Sequence, residues 1–230
     1  MTRAILCALA CLALLNAAPV QLDSQAVLQR YELAMSDVVT PKILIFAYSV
    51  SQFGPNNLEA RHIIYRDGLR VRDETLSVDG VALKQRVVHI TRRVDRYALA
   101  RVAPRASTYT FLFVRAIRSG KRLDYEFDTA PILATQVGFS VTRVIVDGRL
   151  FLPRKIFFTT ASPTATGKGE LDFSSASGHW VPVAAIITAS LAGRLARERI
   201  TWGGYRFPPS LPPSTFSSAK PLPIATLPPI

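Results

Sequence analysis

Asp73 and Glu74 are the nearest thing in this chain to a pair of carboxylates that could act as acid and base. Neighbouring residues on a strand point to opposite faces, so the two cannot serve one substrate together. With Arg70 and Arg72 beside them they read as ion-pair partners on a sheet. The three histidines, His62, His89 and His179, have no paired-ligand spacing, and no metal site is expected from them. Gly167-Lys168-Gly169 lacks a Gly five residues upstream, and Gly169 stands where a phosphate loop carries Ser or Thr. It reads as a hairpin turn. No Ser occupies a Gly-x-Ser-x-Gly elbow, and 174–178 reads as a polar turn. These patterns point away from catalysis and call for no cofactor.

What remains is apolar surface. In Ile43-Leu44-Ile45-Phe46-Ala47-Tyr48-Ser49-Val50 one face carries Leu44, Phe46, Tyr48 and Val50, while Ile43, Ile45 and Ala47 start the other. Tyr109-Thr110-Phe111-Leu112-Phe113-Val114 and Val144-Ile145-Val146 behave similarly. A sheet with one wet face alternates apolar and polar residues. Strands apolar on both faces need a cover on each: a helix, the sheet curling on itself, or an apolar ligand. Phe46, Tyr48, Phe111 and Phe113 are the candidate ligand-binding residues. Trp180, and Trp202-Gly203-Gly204-Tyr205-Arg206-Phe207, could form an aromatic platform or pack to close the sheet's end.

The elements that position these residues follow from period and punctuation. Val27, Leu28, Tyr31 and Met35 recur at helical spacing, with Asp23 or Ser24 as N-cap and Thr40-Pro41 as the stop. Strands are expected at 42–53, 58–66, 69–78, 81–92, 96–102, 109–117, 122–128, 138–146, 149–160, 169–174, 179–190 and 193–202, with a short helix or loop at 131–136. Asp67-Gly68, Asp79-Gly80 and Asp147-Gly148 punctuate them as hairpin turns. The fold class is mainly β: a curved antiparallel sheet of about ten or eleven strands, a half-barrel, preceded by one amphipathic helix.

Arg3, the apolar run 4–15 and Asn16-Ala17-Ala18 describe an export signal over 1–18, because a spanning helix needs about 20 apolar residues. Pro19 leaves open whether the leader is cleaved or kept as a short anchor. Both cysteines, Cys7 and Cys11, lie inside it, so the domain 19–216 uses no disulfide. The last 24 residues hold 8 of the 16 prolines. Such chain cannot feed a ladder, and 217–230 is expected to be disordered. The net charge is +12, and 22 of the 28 basic residues are Arg, scattered along the strands and not gathered in one patch. That suits an anionic membrane surface; with an export signal, nucleic acid is not expected.

The pattern Tyr65-Arg66-Asp67-Gly68, Arg72-Asp73-Glu74-Thr75-Leu76, Val78-Asp79-Gly80 and Tyr205-Arg206-Phe207-Pro208, set in the order signal, helix, antiparallel strands, resembles the LolA/LolB-type lipoprotein carriers and the amino-terminal domain of RseB. The resemblance implies a curved sheet wrapped around helices, an apolar cavity for acyl chains, and no enzymatic activity. A periplasmic or secreted protein that binds a lipid or lipoprotein acyl chain is therefore expected. The alternative is an envelope interaction or sensor domain whose sheet is filled by its own helix; a hydrolase stands third.

Overall fold

The computed structural model describes residues 22–54, 57–133, 138–191 and 194–223. The leader, both cysteines and residues 134–136 lie outside them. One helix, α1 (Ser24–Ser36), precedes an 11-stranded antiparallel sheet. Asp23 caps the helix by accepting from the Gln25 N–H, and Val27, Tyr31 and Met35 form its buried stripe.

The strands are β1 (Ile43–Phe53), β2 (Leu58–Asp67), β3 (Arg70–Val78), β4 (Val81–Arg92), β5 (Tyr109–Ser119), β6 (Arg122–Pro131), β7 (Gly138–Asp147), β8 (Pro153–Ala161), β9 (Ala165–Ala176), β10 (His179–Leu191) and β11 (Arg194–Arg206). Their order is β4-β3-β2-β1-β11-β10-β9-β8-β7-β6-β5. Two meanders are thus sewn together by the pairing of β1 with β11, and β4 and β5 stand at opposite edges. The sheet is curved and open, not a closed barrel. Its concave face forms one apolar core with α1, reaching from Val71 on β3 to Phe127 on β6.

Because β4 and β5 are at opposite edges, the chain between them must cross the sheet. The expected strand at 96–102 is therefore absent. Its place is taken by an Asp95-capped turn, in which the Asp95 carboxylate accepts from the Tyr97 N–H, and by the one-turn helix α2 (Leu99–Val102). Leu99 and Val102, three apart, are its buried side chains.

The turns divide by mechanism. Asp79 and Gly80 both have positive φ (50° and 77°), as a type I′ hairpin turn requires. Gly68 has φ 58° at the first central position of its turn, with Asp67 ending β2. Asp147-Gly148 is a different case from the two-residue hairpin expected. Asp147 Oδ1 accepts from the N–H groups of Arg149 and Leu150, and Phe151, not Gly148, takes positive φ (56°). Gly148 is needed for closeness: a Cβ there would lie 1.9 Å from the Leu123 carbonyl oxygen on β6. Gly167-Lys168-Gly169 is not a turn either, since it lies inside β9. A Cβ on Gly169 would meet the Phe158 ring and the Ile186 carbonyl, both at 2.7 Å.

The Pro-rich segment runs back over the convex face. Where the sequence ends the folded domain at 216, the chain stays bonded to the sheet as far as Leu222. Proline-rich chain leaves its carbonyls free of any ladder, and β3 and β4 supply buried donors for them. Arg72 donates to the carbonyls of Thr215, Ser218 and Lys220, and Arg86 to that of Leu222. Glu74 accepts from the Leu222 N–H at 3.1 Å. Leu211 and Leu222 cover Ile45, Ile63 and Tyr65, a second apolar cluster. Residues 224–230 lie outside the described chain.

Candidate functional site

Between the crossover and the concave face lie two cavities, of about 520 Å³ and about 290 Å³. They share Phe46, Arg66 and Trp202, and Val94-Asp95 of the crossover lines both. Each lies within or close to the range of small-molecule sites.

The cavities follow the strands. Val50, Tyr48, Phe46 and Leu44 alternate along β1; Glu198, Ile200 and Trp202 alternate along β11. The register sets Val50 opposite Ile200 and Tyr48 opposite Trp202. Beyond this the register shifts between Ile45 and Ala47, and Gly204 takes φ 63°. The extra residue in this β-bulge returns Tyr205 to the face of Trp202, where it stacks on Phe46 at 5.3 Å between centroids. The groove from Val50 to Leu44 is about 20 Å long at a strand's rise per residue.

Its charged groups are few and placed unequally. Arg66 is 7% exposed and donates to the carbonyls of Gly68 and Arg93, while its Nε has no hydrogen-bond partner among the described residues. Burial pulls its pKa down, and Asp95 opposes the shift. Asp73 accepts from the Arg93 guanidinium (3.1 Å) and the Tyr48 hydroxyl (3.4 Å), and pairs with His62 Nδ1 at 2.9 Å. Tyr48 lies flat on the His62 ring, 4.6 Å away. Burial first, then the Asp73 carboxylate, push the Tyr48 phenol above its ordinary range. Glu198 is half-buried, and burial alone raises its carboxyl pKa.

Of the four candidate binding residues, Phe46 and Tyr48 line the larger cavity. Phe111 and Phe113 sit on the edge strand β5, packed on Phe127, with Phe111 also against Tyr31 of α1. The two pairs therefore sit apart: neither Phe111 nor Phe113 lines the two cavities, and α1 packs on their half of the concave face through Tyr31. Asp73 and Glu74 do face opposite ways, Asp73 beside the cavity and Glu74 under the tail. Trp180 and Trp202 both line the smaller cavity. Sequence reasoning passed over Arg66 and Glu198. A signal for Glu198 existed, a charge two residues before Ile200 on the apolar side of a period-two strand. Among the described residues no group of three or more His, Cys, Asp or Glu could hold a metal ion.

Several solved structures are similar to this chain. A LolA superfamily protein from Nitrosomonas europaea is 12% identical, with TM-score 0.43, covering 86% of this chain and 99% of that one. A DUF1329 family protein from Desulfovibrio piger is also 12% identical, with TM-score 0.44, covering 87% and 98%. An outer membrane lipoprotein-sorting protein domain from Vibrio parahaemolyticus, so described as putative, is 10% identical, with TM-score 0.43, covering 84% and 97%. No residue role follows from these likenesses. No family model and no curated protein matches the chain.

Proposed function

We propose that this is a non-enzymatic cell-envelope protein that holds an acyl chain of a lipid or lipoprotein in the groove between β1, β2, β11 and the crossover. The observation that carries this reading is the roof. Over β5 and β6 the amino-terminal segment packs directly on the concave face, Tyr31 of α1 against Phe111 and the Leu22 N–H donating to the Tyr125 hydroxyl, whereas over β1 and β11 the face is bridged by Val94-Asp95 with space on both sides. Burying an acyl chain against Phe46, Val50, Ile200 and Trp202 would yield about 25 cal/mol per Å² of apolar area. Export by the leader would place the protein in the periplasm or outside the cell. A net charge of +12 would draw it to an anionic membrane surface. No helix among the described residues is long and apolar enough to cross a membrane.

The two tryptophans supply the test. In a Trp180→Phe variant stripped of lipid, Trp202 is the sole indole reporter, and it lines both cavities. Bromine-substituted palmitate should quench its fluorescence saturably. Absence of quenching at saturating probe would leave the alternative, a self-filled domain that contacts another envelope protein.

A further inference from the structure

Two ionised side chains of the larger cavity, Glu198 and Arg96, have no hydrogen bond or ion pair among the described residues. Glu198 stands in the row Glu198, Ile200, Trp202 on the concave side of β11, half-buried beside Tyr48, Val50 and Tyr97. Its charge reaches both phenols and contributes to raising them. Arg96 is exposed on the crossover at the same end. The other ions of the cavity are engaged: Arg93 with Asp73, Arg66 with two carbonyls, and Asp95 with the Tyr97 N–H. A half-buried carboxylate without a donor is costly to the fold, and an unpaired cation at the mouth of the same apolar groove is its complement.

We propose that the groove selects an amphiphile whose headgroup carries both charges, of the phosphoethanolamine class, with its ammonium on Glu198 and its phosphate on Arg96. This rests on the acyl-binding reading and names the ligand class of that site. The acyl chain then runs from the Glu198 end past Ile200, Phe46 and Trp202 and under Val94-Asp95. A free fatty acid would bring a second carboxylate to Glu198. A glycerol headgroup offers no cation, and a trimethylated ammonium has no N–H to satisfy the carboxylate oxygens.

The experiment uses the full chain, stripped of lipid, with tryptophan quenching as readout. Brominated-acyl phosphatidylethanolamine, phosphatidylcholine and phosphatidylglycerol are presented in vesicles of otherwise equal composition, and brominated palmitate separately. The native protein should prefer the ethanolamine lipid over the glycerol lipid by about tenfold. Glu198→Gln, which keeps the side chain's shape, should lose that preference and bind palmitate more tightly. Arg96→Gln, an exposed change, should weaken all three phospholipids while the preference for ethanolamine over glycerol, set by Glu198, survives. Equal binding of all headgroups by native and Glu198→Gln protein overturns the headgroup assignment while the acyl reading stands. No quenching by any of the four overturns the acyl reading itself.

Discussion

Arg72 and Glu74, two residues apart on β3, form an ion pair at 2.6 Å with no exposure of either side chain. Arg86 of β4 closes on the other Glu74 oxygen at 2.9 Å. Isolated, such a group would be a burden, because taking ions out of water costs more than one pairing returns. Both terminal nitrogens of Arg72 and Nη2 of Arg86 donate to carbonyls of the tail. Arg72→Met should therefore leave Glu74 and three tail carbonyls short of partners and cost about 3–5 kcal/mol, read from urea denaturation.

The tail should matter for stability in turn. Ending the chain at Ser217 removes the Ser218 and Lys220 carbonyls from Arg72 and the whole of Leu222 from Glu74 and Arg86. A loss of about 2 kcal/mol is expected, a fall in Tm of about 4–8 °C for a chain of this size. A melting curve superimposable on that of the full chain would show that the docked tail contributes nothing.

Two glycines separate conformational freedom from closeness. Gly80→Ala meets no atom within 4 Å but inherits a φ of 77°, and should cost about 1–2 kcal/mol. Gly148→Ala has no such φ, yet its Cβ would press on the Leu123 carbonyl. It should cost at least about 2–3 kcal/mol. Equal denaturation midpoints for the two variants would contradict this ordering.

The same contrast shows what the sequence could reveal. Period-two patterning and Asp-Gly punctuation are local signals, so the helix, the meander and the Asp79-Gly80 turn were legible. The crossover was not, because Arg96 to Val102 becomes a non-strand only through the distance between the β4 and β5 edges. The same holds for Gly169, whose neighbour Phe158 comes from another strand. At the candidate site, apolar alternation singles out Phe46 and Tyr48, which line the larger of its two cavities. Their separation from Phe111 and Phe113 depends on which half of the sheet α1 covers, and no local pattern encodes that.

That separation is testable. Phe46→Ala should weaken acyl-probe binding with modest change in stability beyond its own burial. Phe113→Ala, which loses an edge-on contact with Phe127 at 5.6 Å, should lower stability and leave probe affinity unchanged. Loss of binding in both variants would mean that the ligand reaches under α1.

Glu198 gives a pH signature of its own in the lipid-free protein. Its folded-state pKa lies above the ordinary value of 4.5, so the folded protein holds that proton more tightly than the unfolded chain. Stability from this group is then greatest at low pH and is lost as pH rises from about 4.5 through the raised value. Glu198→Gln should accordingly raise Tm at neutral pH, with the gain vanishing below the ordinary glutamate range. A gain that persists unchanged into acid would assign the effect to something other than ionisation.

The pairing of β1 with β11 imposes an order on biogenesis. The first strand to be made finds one of its two partners only after the eleventh and last strand, 194–206, has followed it. Until then the β1–β4 meander stands with Phe46, Ile64 and Val71 uncovered on one face and Ile45, Ile63 and Tyr65 on the other. Contacts of such long sequence separation slow folding and prolong exposure to aggregation. The nascent chain thus has reason to need a holding chaperone until its carboxyl-terminal end arrives, and vectorial, strand-by-strand maturation is closed to it.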